Sequence, residues 1–229
     1  MSDSVILIDK PAGMSSFGVV ARIKRILSEQ EAGKPSAVPN KRRRVKVGHT
    51  GTLDPFATGL MIIVTGKECK NAGNYSKLDK VYEATIRLGQ TSTTGDPEGE
   101  LIDVSKSVPS NDDVEKALTK FVGEITQVPP IYSAIKIGGQ RAYKLAREGK
   151  EFEVPARKVT IFSLDLVDYT YPTLKIRTHV SSGTYIRTLA ADIGEALGVG
   201  AYCIELRRTK IAKWDVADAK KLTDFGIDS

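Results

Sequence analysis

The sequence has few residues of the types that build disulfide frameworks or metal centres. Its 229 residues include two cysteines, Cys69 and Cys203, and two histidines, His49 and His179. A disulfide framework is therefore not expected, and a four-ligand zinc site would need every one of these residues. No run of eighteen apolar residues occurs, and the N-terminal MSDSVILIDK lacks the pattern of a secretory signal. We expect a cytoplasmic protein with no membrane segment and no metal.

Nucleotide-binding fingerprints are also missing from the sequence. The glycine-rich stretch GHTGTLDPFATG covers residues 48–59, but Gly59 is followed by Leu60 and an apolar run. A Walker loop would instead continue with Lys-Ser or Lys-Thr at the start of a helix. A dinucleotide-binding Gly-x-Gly-x-x-Gly pattern between a strand and a helix does not occur either. The stretch is therefore not expected to cradle the phosphates of a nucleotide.

The charged residues are more informative than these absences. The chain has 34 Lys and Arg against 28 Asp and Glu, which gives a net charge of +6. Five cations lie within Lys41–Lys46, and seven Lys or Arg with three Glu lie within residues 136–158. Clusters of this kind suit a polyanion, because each neutralised phosphate releases counterions into solution. The alternative, an exposed and solvated loop, remains open for the run KRRRVK.

Hydrophobic periodicity predicts an α/β protein. LMIIVTG is typical of a strand buried on both faces, and VYEATIRLG alternates so that Tyr82 lies on the more apolar face. Helices are predicted in FGVVARIKRILSEQ, SNDDVEKALTKFVGE and GTYIRTLAADIGEALG. A mobile basic loop at about 30–46 and a protruding basic insertion at about 127–152 differ in composition from their surroundings. No repeat and no strong break in composition divides the chain, so we expect one domain over residues 1–229.

One acid stands out in the glycine-rich stretch, because Asp54 lies directly before a proline. Proline restricts the preceding residue to extended backbone, although the same pattern is typical of a structural turn without chemistry. An acid between apolar segments needs a cation to stay ionised, and Arg187, out of step with the apolar stripe of its helix, is the best candidate. Such a pair would keep the pKa of Asp54 low and its carboxylate available as a nucleophile at a glycosidic carbon. No second acid accompanies it, which argues against ordinary glycoside hydrolysis.

Six separated motifs, in one order, resemble the TruB family of RNA pseudouridine synthases, whose bacterial members modify uridine 55 of tRNA. The motifs are DKPAGMSS, GHTGTLDPFATG, YEATIRLG, QVPPIYSAIKIGGQRAYKLAR, GTYIRTLAADIGEALG and LRRTKI, and the resemblance runs from about Val5 to about Val216. It implies a pseudouridine synthase catalytic fold, with a mixed and mostly antiparallel sheet flanked by helices around a central RNA-binding cleft. It also implies isomerisation of the T-loop uridine by base flipping, with no cofactor.

The resemblance assigns roles to residues of these motifs. Asp54 matches the nucleophile, Arg187 the arginine that pairs with it, and Tyr82 the tyrosine that stacks on the target base and is the proposed acceptor of the C5 proton. His49 matches a histidine that fills the space vacated by the uridine. The insertion at about 127–152 matches a segment that closes over the tRNA T-arm. Other residues expected to bind substrate or support the catalytic loop are Lys10, Pro11, Lys136, Arg141, Tyr143, Tyr185 and Leu206.

Two departures from the family pattern accompany the resemblance. Ser182 occupies a position that is usually lysine in bacterial relatives, and the chain stops soon after KWDV, where many relatives continue into a PUA-type RNA-binding domain. We expect weaker tRNA binding but intact chemistry. The expected partner is the T-arm stem-loop of tRNA, with no obligate protein partner and a monomeric state. Two rival hypotheses stay open: a guide-RNA-dependent synthase of the dyskerin type and a non-catalytic RNA chaperone.

Overall fold

The computed structural model describes residues 4–32, 45–133 and 135–227, apart from the side chains of Ala32, Tyr143 and Arg147. Most of the basic loop predicted at about 30–46, including four of the five cations of KRRRVK, lies outside these residues. The predicted fold class is confirmed, because helices accompany a large and mostly antiparallel sheet. In the described ranges, no helix combines the length and the apolar character needed to cross a bilayer.

Contacts divide the chain into two compact units. The first unit is Met1–Leu78 together with Arg208–Ser229, and the second is Asp79–Arg207. The assignment of residues 1–229 to one domain stays a prediction.

The first unit is built around a buried strand, as LMIIVTG predicts. β3 (Thr58–Thr65) pairs antiparallel with β1 (Ser4–Lys10) and with β2 (Val47–His49), and β1 pairs parallel with β14 (Lys220–Lys221). Every residue of β3 after Thr58 is buried. The other elements of this unit are α1 (Ser16–Ala32), α2 (Ala72–Ser76), β13 (Trp214–Asp215) and the 3₁₀ segments Gly66–Asn71, Val216–Asp218 and Leu222–Phe225.

A tight backbone contact at Gly59 fixes where β3 begins. Gly59 has a φ of +106°, and a Cβ atom built there would clash with the backbone of Arg208. Arg208 is fully buried, and its Nε donates to the Leu60 carbonyl at 2.7 Å while its Nη2 donates to the Gly51 carbonyl at 3.1 Å. Glycine is required because other residues rarely adopt this φ and none could approach so closely. Arg208 thereby ties the glycine-rich stretch to the strand that follows it.

The second unit contains four strands side by side, each antiparallel to the next: β4 (Lys80–Leu88), β11 (Thr173–Val180), β10 (Arg157–Thr170) and β7 (Gly123–Gln127). β12 (Ala201–Ile211) begins in this unit and its last residues belong to the first. The remaining elements are the hairpin of β5 (Gln90–Ser92) and β6 (Leu101–Asp103), the hairpin of β8 (Lys136–Ile137) and β9 (Gln140–Arg141), and the helices α3 (Asn111–Thr119), α4 (Ala142–Arg147) and α5 (Ile186–Ala196).

The alternation predicted in VYEATIRLG is confirmed in β4. Tyr82, Ala84, Ile86 and Leu88 are buried, whereas Val81, Glu83 and Arg87 are partly exposed. Helices α3 and α5 also occur where they are predicted, and α3 begins with a capping box between Ser110 and Asp113. Arg187, the second residue of α5, lies on the buried face of this helix. β4 and α5 therefore carry the two residues predicted to act with Asp54.

Candidate active site

The loop that carries Asp54 is held by its backbone. It connects β2 with β3, and the buried hydroxyl of Ser16 contacts Leu53 twice: it accepts the Leu53 N–H at 2.8 Å and lies 2.9 Å from the Leu53 carbonyl oxygen. The Ala57 N–H donates to the Asp54 carbonyl at 3.1 Å, which closes a turn around the proline. Asp54 itself is partly buried, as is His49 at the end of β2. These contacts hold the backbone of the loop on both sides of Asp54.

Lys10 supports the same loop from the end of β1. Its ammonium group donates to the carbonyls of Met14 at 2.7 Å, Pro11 at 2.8 Å and Pro55 at 3.1 Å. The side chain is fully buried, and burial lowers its pKa from 10.5 to about 8, while the nearby charge of Asp54 raises the pKa and that of Arg208 lowers it. At neutral pH most of Lys10 is still protonated. A positive charge therefore accompanies Asp54, and the Lys10 ammonium links the Pro11 carbonyl to the carbonyl of Pro55, the residue after Asp54.

Arg187 is buried in the second unit, and its terminal nitrogens reach three acceptors. Nη1 donates to the Thr94 carbonyl at 2.8 Å and to Asp96 Oδ2 at 3.1 Å, and Nη2 donates to the Tyr132 carbonyl at 2.9 Å. The side chains of Arg187 and Asp96 are 3% and 7% exposed, so this ion pair is dry. A buried arginine held in this way has one orientation, because a guanidinium is planar and its donors point in fixed directions. Whether Arg187 also pairs with Asp54 stays a prediction.

Asp96 was not identified from the sequence. Its Oδ1 accepts the Thr94 hydroxyl at 2.5 Å and the Glu98 N–H at 3.1 Å, and its Oδ2 accepts from Arg187. A signal was present, because Asp96 also lies directly before a proline, and the sequence has only two such Asp-Pro steps. The second step could have pointed to a second constrained carboxylate.

The other predicted residues of the second unit differ in how far they are exposed. Tyr82 on β4 and Leu206 on β12 are buried, each with 7% of its surface exposed. Tyr185 immediately precedes α5, and its ring lies 4.7 Å from the guanidinium of Arg157. Lys136 and Arg141 face each other across the β8–β9 hairpin and are both exposed, as a surface that binds a polyanion requires. The side chain of Tyr143 lies outside the described residues.

The structure thus brings some predicted residues together within each unit. In the first unit, Lys10 and Pro11 adjoin the Asp54 loop. In the second, Arg187 adjoins Tyr132, at the start of the predicted insertion. The meeting of Asp54 with Tyr82 and Arg187 stays a prediction. Among the described residues, no group of three Cys, His, Asp or Glu side chains is arranged to hold a metal ion.

Comparisons with known proteins agree with the resemblance seen in the motifs. Residues 40–186 match the TruB family pseudouridylate synthase N-terminal domain, and residues 187–226 match the tRNA pseudouridylate synthase B C-terminal domain. The tRNA pseudouridine synthase B of Burkholderia lata is 46% identical over 209 residues, which is 91% of this chain and 60% of that protein. The namesake from Francisella tularensis subsp. tularensis is 43% identical over 96% of this chain and 68% of its own length. The chain therefore spans about two thirds of the length of these relatives.

A solved structure shows the same fold. A chain in the crystal structure of a Cbf5–Nop10–Gar1 complex superposes with a TM-score of 0.70 and 29% sequence identity, over 96% of this chain and 52% of that one. The two family models together cover nearly all of the residues from 40 onward, including Asp54, Tyr82 and Arg187. The chain belongs to the TruB family of pseudouridylate synthases.

Proposed function

We propose that this protein is a tRNA pseudouridine synthase that isomerises the uridine at position 55 in the T-loop of tRNA. The observation that carries the proposal is the match to the TruB family over residues 40–226, which includes the constrained Asp54 loop. Curated relatives that are 46% and 43% identical carry the name tRNA pseudouridine synthase B. A cytoplasmic location and action as a monomer without a protein partner belong to the same proposal.

The reaction exchanges one bond of the nucleoside for another. The bond between uracil N1 and ribose C1′ breaks, a bond between uracil C5 and C1′ forms, and the C5 proton leaves while N1 gains one. Electrons and atoms balance within the substrate, so no oxidant or reductant is consumed. The target base is stacked inside a folded RNA loop, and it must be flipped out before an enzyme side chain can reach it.

In this proposal Asp54 supplies the nucleophilic carboxylate. A nucleophilic carboxylate has to stay ionised at neutral pH, and the Lys10 ammonium provides a positive charge nearby. The ammonium donates its own hydrogen bonds to backbone carbonyls. Tyr82, buried on β4, stacks on the flipped base and accepts the C5 proton. Arg187 contributes a guanidinium whose orientation is set by Asp96 and two carbonyls.

The insertion at about 127–152 is proposed to hold the T-arm. The exposed cations Lys136 and Arg141 lie on its hairpin, where they can neutralise phosphates of the RNA backbone. His49, Leu206, Tyr185 and Tyr143 are proposed to line the path of the substrate. Replacing either cation by a neutral residue should weaken RNA binding and reduce its salt dependence without changing the chemical step.

The test is tritium release from an unmodified tRNA transcript labelled at uridine C5. Purified protein without guide RNA is expected to release tritium, and mapping of the product should place pseudouridine in the T-loop. The Asp54→Asn variant should bind the transcript and release none. RNA binding by the wild-type protein with no release would support the chaperone hypothesis and overturn the proposal. Modification outside the T-loop would overturn the substrate assignment alone.

The second candidate is a synthase that works only inside a larger complex. The likeness to a chain of a Cbf5–Nop10–Gar1 complex, at 29% identity, favours it. The higher identity to the tRNA pseudouridine synthases B favours the first candidate. Activity of the isolated protein on tRNA decides for the first candidate. Activity that appears only after guide RNA or partner proteins are added decides for the second.

A further inference from the structure

A glutamine at the start of the insertion holds the residue before α5. Gln127 is the last residue of β7 and is 1% exposed. Its Oε1 accepts the Tyr185 N–H at 3.1 Å, and its Nε2 donates to the Tyr185 carbonyl at 3.3 Å. One buried amide therefore contacts both backbone polar groups of Tyr185. An amide side chain is one of the few that can donate and accept in this way at once.

The start of α5 depends on this contact. Tyr185 precedes the helix without a side-chain cap, and its carbonyl also accepts the Leu189 N–H at 3.1 Å, the first bond of the helix. The ring of Tyr185 is covered by the Arg157 guanidinium, and Arg157 lies opposite Gln127 in the pairing of β10 with β7. Residues of β7 and β10 thus hold the backbone and the ring of Tyr185, and with them the start of α5. Arg187 follows two residues later.

Two more contacts join the same segments. The Thr188 hydroxyl lies 3.4 Å from the Val128 carbonyl, and Arg187 Nη2 donates to the Tyr132 carbonyl at 2.9 Å. The first residues of the insertion therefore lie alongside the first turn of α5. Gln127 is the most buried of the residues that make these contacts from the insertion side, and it bonds the backbone twice.

We propose that Gln127 is a positioning residue for Arg187: it fixes the backbone of Tyr185, and thereby the direction in which the guanidinium leaves α5. The inference rests on the proposed function, since it assumes that Arg187 acts in pseudouridine formation. Loss of the two hydrogen bonds lets the first turn of α5 shift. A displacement of about 1 Å at a reacting group can lower a rate about 100-fold, whereas RNA affinity depends on the exposed cations instead.

The experiment compares the rate constant of a single turnover with the dissociation constant for the tRNA transcript. Gln127→Met keeps the volume of the side chain and removes both hydrogen bonds. We expect its single-turnover rate constant to fall about 10- to 100-fold while the dissociation constant stays within about twofold. Gln90→Ala is the matched control, because Gln90 belongs to the same unit and its side chain bonds the exposed Asp103. This control should change neither quantity.

A double-mutant cycle then shows whether Gln127 acts through Arg187. In an Arg187→Lys background, which keeps the charge but not the fixed donor geometry, Gln127→Met should add little further loss. A purely structural role would instead lower the fraction of active enzyme and leave its rate constant unchanged. If Arg187→Lys does not fold, the comparison of rate constant and affinity still decides.

The failures of the two proposals are distinguishable. A wild-type protein that releases no tritium overturns the proposed function, whatever the variants do. An active wild type with a Gln127→Met variant of equal rate constant overturns only the positioning role. The same holds if the whole loss in the variant lies in the affinity for tRNA, or if the losses of Gln127→Met and Arg187→Lys multiply.

Discussion

The loop that carries Asp54 and the loop that carries Asp96 use the same local device, an aspartate directly before a proline. They differ in what the carboxylate does. Asp96 is buried, and its oxygens take up donors from Thr94, Glu98 and Arg187. Asp54 is only partly buried, and its loop is held by contacts to the backbone on either side of it.

Asp96 therefore has a structural role, whereas Asp54 is the proposed nucleophile. In the Asp96 loop the acid itself carries the structure, and its removal would take a counter-charge away from a buried cation. In the Asp54 loop Ser16 and Lys10 contact main-chain atoms of Leu53 and Pro55, on either side of the acid. Variants at four positions test this contrast.

Asp54→Asn should have the largest effect, and on activity alone. We expect the rate of tritium release to fall at least about 10³-fold, because the amide cannot act as the nucleophile. The loss in the free energy of unfolding should be smaller than for Asp96→Asn, since the backbone contacts of the loop remain. Urea unfolding and a tRNA-binding titration serve as controls. A variant that keeps most of its activity would contradict the proposed role of Asp54.

Asp96→Asn should have the opposite profile, a large loss of stability. The variant removes the anion that is bonded to the buried Arg187 guanidinium, and breaking such a pair costs about 3–5 kcal/mol. The midpoint of urea unfolding measures this loss. Glu98→Gln is the matched control, because Glu98 is an exposed acid of the same loop and should be neutral. Equal stability of Asp96→Asn and the wild type would mean that the two loops do not differ as described.

The rate of the reaction should fall as pH rises through about 8, the pKa of Lys10. Loss of the proton removes the charge beside Asp54 and leaves two N–H donors for the three carbonyls that the ammonium bonds. The measurement is a pH profile of the single-turnover rate constant. Lys10→Met should be slower at neutral pH and should lack this descending limb. A limb that persists in Lys10→Met would assign it to another group.

The pH dependence of stability gives an independent check on Lys10. Stability should rise with pH, whereas the reaction rate should fall. The pKa of Lys10 is lowered in the folded protein, to about 8 from 10.5, so the unfolded chain binds the proton more tightly. The charged form therefore costs stability below pH 8, and that cost disappears as pH rises towards 10.5. Relative to Lys10→Met, the wild-type protein should gain stability across this window. A flat difference would mean that the burial of Lys10 does not lower its pKa.

Ser16→Ala should have the smallest effect of the four. It removes the hydroxyl that contacts the Leu53 backbone and takes the acceptor away from a buried N–H, at a cost of about 1–3 kcal/mol. Because the loop loosens around Asp54, activity should fall by more than affinity for tRNA. Ser28→Ala, on the same helix but with a solvent-exposed hydrogen bond to the Lys24 carbonyl, is the control. Unchanged stability of Ser16→Ala would mean that Ser16 does not support the loop.

Much of the fold could be predicted from the sequence because its signals are local. The apolar run of β3, the alternation of β4, the capping residues of α3 and the stripe of α5 each depend on neighbours in the chain. The short strands β13 and β14 could not be predicted, since two residues carry no periodicity. The parallel pairing of β1 with β14 joins the two ends of the first unit, and only tertiary contacts set it.

The site divides in the same way. Asp54 could be proposed because proline and glycines mark its position, and the family resemblance suggests its role. An Asp-Pro step marks Asp96 in the same way, but its partner and that of Gln127 could not be predicted, because they are 91 and 58 residues away in the sequence. The burial of Lys10 could not be predicted either, since lysine side chains are mostly exposed. The role of a side chain that holds a residue distant in sequence is visible in the contact between the two, and the neighbouring sequence does not reveal it.

Anyone who diversifies the stretch from Gly48 to Gly59 by mutagenesis will find its two ends unequal. At Gly48 an added methyl group would meet only Val64, at an ordinary 3.9 Å, so alanine should be accepted. At Gly59 the left-handed backbone and the nearby main chain of Arg208 leave no space for any side chain. A library that fixes Gly59 and varies Gly48 would keep most of its members folded, and one that does the reverse would lose nearly all of them.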